Sequence, residues 1–237
     1  MTQAQLQSAA VCWQCGAENA AGVPLCVECG KVQATAEGTD YFAVFGLPRL
    51  LKLDTAALEK QFYKLSRRLH PDMFATASER EQQWSTEQSS LLNDAYRTLK
   101  VPVERTLYLL RLEGASIEDE SEKDRAEAKA SGKQREQKAP ADMLEEVFEL
   151  NMQLEELRMG GDDAELKEQL KAERGKFDTQ LKDCDRQMVE LWGEWDSALE
   201  QEQEAGKDGA KAKLVALLHR RNYIRNLVRD VNEALGE

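Results

Sequence analysis

Apolar residues recur at intervals of three and four between residues 54 and 69, which is the spacing of one face of an α-helix. They are Leu58, Phe62, Leu65 and Leu69. Asp54 precedes the first turn, and a short carboxylate at that position caps free backbone N–H groups. Four cations project mostly from the opposite side of this helix, namely Lys60, Lys64, Arg67 and Arg68. The pattern predicts an amphipathic helix with a basic outer face.

The tripeptide His70-Pro71-Asp72 follows this helix directly. Proline disfavours helical geometry in the residue before it, so we expect the helix to end at His70. A second helix is predicted over about residues 79–100. Its apolar positions are Trp84, Leu91, Leu92, Ala95, Tyr96 and Leu99. The tripeptide is therefore displayed on a connection between two helices, where functional residues concentrate.

The C-terminal part of the chain also has a helical pattern. It predicts helices over 141–159, 163–203 and 210–235. The expected breaks lie near Gly160-Gly161 and between Ala205 and Gly209. The first of the three helices has an apolar seam with the spacing of a helical bundle, made by Met143, Val147, Leu150, Leu154 and Leu157. We predict a three-helix bundle with this seam in its core.

A second apolar stripe follows the same helix, on a face roughly 100–180° from the seam. It consists of Leu144, Phe148, Met152 and Met159. We call these four residues the outer stripe. Two interpretations are equally supported by the pattern: the outer stripe packs on another part of the protein, or it faces solvent and binds a partner.

Four cysteines near the N-terminus form two C-x₂-C-G units, Cys12/Cys15 and Cys26/Cys29. A glycine after each pair permits a tight turn that aims backbone amides at the sulfurs. Four thiolates at this spacing predict a tetrahedral metal site, with Zn²⁺ in a structural role as the first choice. Iron would use the same ligands, so it stays an alternative.

Other roles for the cysteines are less well supported. Disulfides would require an oxidising compartment, and a thioredoxin-like site lacks its usual βαβ pattern. Cys184 falls in a helical apolar series and is predicted to be a small core residue. Residues 31–39 are small and polar, and we expect them to tether the cysteine module loosely.

The chain has 237 residues and a formal net charge of −12, so the basic helix face is a local exception that could steer an acidic partner. A solvated charged face remains the simpler explanation of that pattern alone. The acidity argues against nucleic acid, and no apolar run reaches the length of a membrane span. The first thirty residues contain no Lys or Arg, so neither a secretory signal nor a transit peptide is indicated and a cytoplasmic location is expected.

Several motifs together resemble the J-domain. A short helix over 40–48 contains Tyr41-Phe42 and is stopped by Gly46 and Pro48; the basic helix, His-Pro-Asp and a third helix then follow. The fuller series resembles the HscB family of iron–sulfur co-chaperones, over 40–114 strongly and over 141–237 more weakly. The matching segments are Asp40-Tyr41-Phe42, Phe45-Gly46-Leu47-Pro48, His70-Pro71-Asp72-Met73-Phe74, Leu99-Lys100-Val101-Pro102 and Arg105 to Leu110.

The resemblance implies that the chain activates another protein and is not itself an enzyme. In J-domain proteins the His-Pro-Asp turn and basic helix dock on a DnaK-type chaperone and stimulate its ATP hydrolysis. By this resemblance, the residues of the turn are His70, Pro71 and Asp72. The residues implied to make the electrostatic contacts are Lys60, Lys64, Arg67 and Arg68. The expected partners are a DnaK/HscA-type chaperone and an IscU-type scaffold protein.

The resemblance also favours the outward interpretation of the outer stripe. The segment from Met143 to Asn151 is similar to the HscB helix that binds the scaffold. The scaffold-binding set implied is Leu144, Phe148, Glu149, Met152 and Glu156, with Tyr223 from the last helix. Glu145 stands where an apolar residue is common in the family, and Met152 where an acid is common.

The expected fold is all-α, a J-domain helical hairpin plus a C-terminal three-helix bundle, with a small zinc-knuckle module. The expected domains are a cysteine module (1–36), a J-domain (40–114), a charged flexible linker (115–140) and a scaffold-binding domain (141–237). A generic J-protein that delivers unfolded clients is the alternative function. A metal-dependent enzyme is least supported, because the chain has only two histidines and neither is beside a convincing nucleophile.

Overall fold

The computed structural model describes residues 10–36, 38–115, 140–160 and 163–236. The described residues are mostly helical, which confirms the predicted all-α class. The chain divides into two compact units, Met1–Glu113 and Gly114–Glu237. The predicted charged linker lies almost wholly outside the described residues.

The first unit begins with the metal module, which we define as residues 10–36. Strand β1 (Ala10–Val11) pairs antiparallel with β2 (Glu18–Asn19), and Leu25 forms an isolated bridge with Val32. The two cysteine turns have the same geometry, since the N–H of Gly16 donates to the carbonyl of Cys12 and that of Gly30 donates to Cys26. Both glycines have φ above +70°, which other residues rarely adopt.

The end of the metal module is anchored, so the expectation of a loose tether is wrong for Lys31 to Gln33. Val32 is fully buried. The amide of Gln88 donates to the carbonyl of Gln33 at 3.1 Å, and Lys31 forms an ion pair with Glu81 at 2.7 Å. Partners some 50 residues away along the chain hold this segment, and they cannot be recognised from its small polar composition.

The two long helices of the J-domain have the predicted bounds to within a residue, whereas the short first helix is confined to four residues of the predicted 40–48 segment. Helix α1 spans Tyr41–Val44, α2 spans Thr55–Leu69 and α3 spans Glu79–Lys100, with a 3-10 turn over Pro71–Phe74 between the last two. The carboxylate of Asp54 accepts the N–H groups of Ala56 and Ala57, as expected of the cap. The interior includes Phe42, Leu51, Leu58, Leu69, Leu92 and Leu99.

A further helix, α4 (Pro102–Leu112), follows α3 and was not among the predicted helices. Its Arg105 is buried and donates to the carbonyl of Leu99 at 2.5 Å. The ring of Tyr108 stacks on Tyr41 with the centroids 4.3 Å apart. Loss of solvent raises the pKa of Tyr108 to about 12, so its hydroxyl stays protonated and accepts the N–H of Tyr41. Helix α4 thereby ties the two ends of the J-domain together.

The second unit contains three helices that pack on one another: α5 (Leu144–Gly160), α6 (Ala164–Glu200) and α7 (Glu204–Leu235). All five residues of the predicted α5 seam are buried, which confirms the seam as core. Cys184 is also buried, and burial raises the pKa of its thiol. It is therefore the small core residue that the pattern predicts.

The predicted break between the last two helices is misplaced. The turn lies at Gln201–Gln203, and α7 already includes Gly206 and Gly209. Glu202 makes the turn with φ of +55°, and it is the one non-glycine residue with positive φ in the described part of the chain. A Cβ on Gly206 would lie 3.2 Å from the Cβ of Ala198, so this glycine permits close approach of two helices rather than breaking one.

Candidate functional site

The His-Pro-Asp turn, residues 70–72, is exposed at its tip. The side chains of His70 and Asp72 are 57% and 88% exposed. The Nδ1 atom of His70 accepts the N–H of Asp72 at 3.3 Å and lies 3.5 Å from its carboxylate. The imidazole is thus oriented by its own turn, and both polar groups remain available to a partner.

The base of the turn is held firmly by α3. Leu69, the last residue of α2, has a fully buried side chain. Its carbonyl accepts two hydroxyl hydrogen bonds, from Ser85 at 2.6 Å and from Ser89 at 2.9 Å. These bonds satisfy a helix-terminal carbonyl that would otherwise lack a partner. A fixed base and an exposed tip suit a surface that docks without rearranging.

The basic face, defined as Lys60, Lys64, Arg67 and Arg68, is exposed along α2. None of the four forms an ion pair with a residue that the structure describes, so the positive charge is not neutralised within the described parts of the unit. Tyr63 lies among them and is 54% exposed, and Met73 beside the turn is 70% exposed. We did not single out these two from the sequence. The position of Tyr63, three residues after Lys60 and four before Arg67, is the signal that could have identified it.

The four cysteines predicted as ligands converge in the metal module. Their sulfur atoms all lie within 4.8 Å of one another. The pairs Cys12–Cys29 and Cys15–Cys26 have sulfurs 3.7 Å apart. A tetrahedron with Zn–S bonds of about 2.3 Å has edges of about 3.8 Å, so the arrangement fits a four-thiolate metal site.

Hydrogen bonds lower the pKa of the Cys12 and Cys26 thiols and so favour their thiolates, whereas the side chains of the neighbouring cysteines raise the pKa of Cys15 to about 12. The backbone N–H of Cys29, aimed at the sulfur of Cys26, lowers the pKa of that thiol to about 6, with a smaller contribution from the N–H of Glu28. The side-chain amide of Gln33 lies 3.5 Å from the sulfur of Cys12. Cys12 and Cys26 are buried, whereas Cys15 and Cys29 are exposed. Four thiolates complete a tetrahedral metal's coordination, which is typical of a structural site.

In the second unit, the outer stripe faces away from the bundle core. Its four side chains are between 56% and 87% exposed. The carboxylates of Glu149 and Glu156 are exposed on the same helix. The outward orientation, left open by the pattern, is thus what the structure has.

Tyr223 lies on α7 and is half-buried, and its pKa is raised mainly by loss of solvent. One turn earlier on α7, Arg220 pairs with Asp142, which lies two residues before Leu144. This pair places Tyr223 toward the end of the bundle at which the outer stripe begins.

Comparisons with known proteins agree with these features. The DnaJ domain family matches residues 40–108. The iron–sulfur cluster co-chaperone protein HscB of Mus musculus is 30% identical over 169 residues, which is 70% of this chain and 66% of that protein. Its Homo sapiens counterpart is 38% identical over 114 residues, which is 47% of this chain and 48% of that protein.

Among solved structures, the crystal structure of human co-chaperone protein HscB aligns with a TM-score of 0.58 and 26% identity, covering 94% of this chain and 96% of that one. The two sequence alignments span about two thirds and about half of the relatives' own lengths. Within the described residues, no helix is both long and apolar enough to cross a membrane.

Proposed function

Because this chain belongs to the HscB family of iron–sulfur cluster co-chaperones, we propose that it acts as a co-chaperone in iron–sulfur cluster biogenesis. Its J-domain stimulates ATP hydrolysis by a DnaK/HscA-type chaperone, and its C-terminal bundle delivers an IscU-type scaffold to that chaperone. The nucleotide is bound and hydrolysed by the chaperone. This chain supplies docking surfaces and no catalytic group.

The observation that carries the proposal is the exposed His-Pro-Asp turn beside a basic face that forms no ion pair with any described residue. His70, Pro71 and Asp72 contact the chaperone, and the basic face attracts an acidic surface on it. Opposite charges bring the two proteins together and set their orientation. The two serine hydroxyls on the Leu69 carbonyl support this role, because a fixed turn loses little entropy when it docks.

The scaffold-binding surface is the outer stripe with its acidic neighbours. Leu144, Phe148 and Met152 provide apolar anchors, Glu149 and Glu156 provide charge, and Tyr223 extends the surface onto α7. Exposed contiguous apolar residues on an otherwise charged helix support a partner site. Methionine and phenylalanine adapt well to a folded protein surface.

The metal module holds a structural metal ion, with Zn²⁺ as the proposed metal and iron as the alternative. The ion supplies folding energy to a segment too short for a hydrophobic core of its own. Around it we propose the four domains expected from the sequence: residues 1–36, 40–114, 115–140 and 141–237.

The test is a chaperone ATPase assay with the purified full-length chain and a folded scaffold protein. We expect the chain to raise the ATPase rate, and chain and scaffold together to raise it further. A pull-down with the same chain should retain the folded scaffold. Retention of many denatured proteins with no preference for the scaffold would favour the generic J-protein instead. An unchanged ATPase rate would refute the co-chaperone proposal.

A further inference from the structure

One face of α3 is covered by the metal module. The α3 residues on this face are Glu81, Trp84 and Gln88, spaced by three and four as neighbours on a helix surface. Lys31 forms an ion pair with Glu81 at 2.7 Å, and the ring of Trp13 packs edge-on against Trp84 with the ring centroids 5.8 Å apart. The carbonyl of Gln33 accepts a hydrogen bond from the side-chain amide of Gln88 at 3.1 Å. The metal module is therefore docked on the J-domain at three successive turns.

Each docking residue of the metal module is adjacent to a metal ligand. Trp13 lies between Cys12 and Cys15, and Lys31 is two residues after Cys29. The amide of Gln33 reaches the sulfur of Cys12. Because a bound metal holds the two cysteine turns together, it also holds these three residues in the positions that meet α3.

Glu81 connects the docked module to the start of α3. One of its carboxylate oxygens accepts from Lys31, and the other accepts from the backbone and hydroxyl of Ser78. Ser78 is the N-cap of α3, and its hydroxyl accepts the N–H of Glu81 in return. The hydrogen bond from Lys31 and those from Ser78 lower the pKa of Glu81, which keeps the carboxylate charged.

Residues on the adjacent face of α3 lead to the His-Pro-Asp turn. Ser85 and Ser89 hold the carbonyl of Leu69, the residue before His70. The guanidinium of Arg68 lies beside the second cysteine turn, where a Cβ built on Gly30 would be 3.4 Å from it. Helix α3 therefore holds the metal module on one face and the base of the turn on the adjacent face.

We propose that the metal-loaded module is a positioning element for the J-domain: it immobilises the first half of α3 and thereby fixes the His-Pro-Asp turn for chaperone activation. Lys31, Glu81 and Gln88 are positioning residues that do not themselves touch the chaperone. Loss of the metal frees the docking residues, loosens α3 at its cap and reduces the maximal ATPase stimulation. The last consequence rests on the co-chaperone function proposed above.

Two substitutions that change the charge in opposite directions distinguish a positioning role from a direct electrostatic contact with the chaperone. Lys31→Met removes a positive charge and Glu81→Gln removes a negative one, while Gln can still cap α3. Positioning requires both variants to lower the maximal stimulation, by about fivefold or more for an ordinary coupling between sites. Lys31→Arg keeps the ion pair and should behave as wild type. Opposite effects of the two variants, or none, would overturn the proposal.

Amide hydrogen exchange of the full chain tests the coupling without any chaperone. After removal of the metal by a chelator, amides of residues 79–89 should exchange at least about tenfold faster, because the segment opens locally. Amides of α6 in the second unit should not change, and neither should scaffold binding. If the first unit unfolds altogether without metal, the metal-bound Lys31→Met variant must show the same local increase. Unchanged exchange in that variant would refute the proposal.

The two experiments fail in different ways. If the metal-loaded wild-type chain does not stimulate any chaperone, the proposed function is wrong, and the exchange result still decides whether the metal module holds α3. If stimulation is normal but independent of the metal and of Lys31, only the positioning role is wrong.

Discussion

The imidazole of His70 is oriented by the backbone N–H of Asp72 while more than half of its surface faces solvent. His70→Gln should therefore abolish stimulation of the chaperone ATPase, because glutamine does not reproduce the imidazole presented by the turn. Helicity and scaffold binding should be unchanged, since the side chain supports no core contact. Circular dichroism, a binding assay and the ATPase assay check the three parts of this prediction.

The second histidine provides the matched control. His219 is exposed on α7, in the other unit. His219→Gln should stimulate as the wild type does. Normal stimulation by His70→Gln would contradict the J-domain mechanism.

The outer stripe and the seam of α5 allow two kinds of apolar substitution on one helix. Leu144→Ala with Phe148→Ala should weaken scaffold binding by about 2 kcal/mol or more, a loss of roughly 30-fold in Kd, if these side chains are anchors. Both are largely exposed, so the free energy of unfolding should change little. Calorimetric titration and thermal unfolding measure the two effects.

Leu150→Ala is the control on the buried face of the same helix. Leu150 is 1% exposed, and its truncation should cost about 2–5 kcal/mol of stability through the lost contacts and the cavity. If the variant with Leu144→Ala and Phe148→Ala unfolds the bundle and Leu150→Ala does not, the outer stripe is part of the core.

At the scale of secondary-structure elements, the connection between α6 and α7 stores backbone strain. Glu202 has φ of +55°, a conformation that costs a residue with a Cβ about 1–2 kcal/mol. Glu202→Gly removes that cost but adds about 0.5–1 kcal/mol of chain entropy to the unfolded state. The net gain should raise the Tm of the second unit by about 2–4 °C.

Its neighbour Gln201 supplies the comparison. Gln201 has φ of −90°, which any residue adopts, so Gln201→Gly should lower the Tm. Differential scanning calorimetry of the two full-length variants decides the matter. A fall in Tm for both would show that the positive φ costs nothing here.

Charge acts at the scale of the whole molecule. The chain carries −12 overall, yet the basic face is exposed and unneutralised by described residues. Salt shortens the reach of exposed charges from about 10 Å at 0.1 M to about 3 Å at 1 M. The concentration of chain needed for half-maximal ATPase stimulation should therefore rise with ionic strength, in a salt titration of the ATPase assay.

Substitution of the basic face should remove that dependence. Lys60→Ala with Lys64→Ala should raise the half-maximal concentration at low salt and flatten its salt dependence. Lys171→Ala, on α6, should leave the salt dependence as in wild type. An equally steep dependence in the double variant would place the electrostatic contact elsewhere on the chain.

Much of this protein follows from local sequence. Helical periodicity and the cap at Asp54 predicted the bounds of α2 and α3 to within a residue. The spacing of apolar residues by three and four positions predicted the buried seam of α5. The spacing of Cys12, Cys15, Cys26 and Cys29 predicted their convergence. These features depend on residues close together in the chain, or on a repeated spacing that the covalent geometry imposes.

Tertiary structure decided the rest. Lys31 with Glu81, and Gln33 with Gln88, are pairs of residues some 50 positions apart whose partners no local pattern reveals. The orientation of the outer stripe depended on which face of α5 the other helices cover. The α6–α7 turn is at Glu202 rather than at the glycines, because close packing against Ala198 needs Gly206 within the helix. Contacts between distant segments settle such choices, since local preferences differ by less energy than packing supplies.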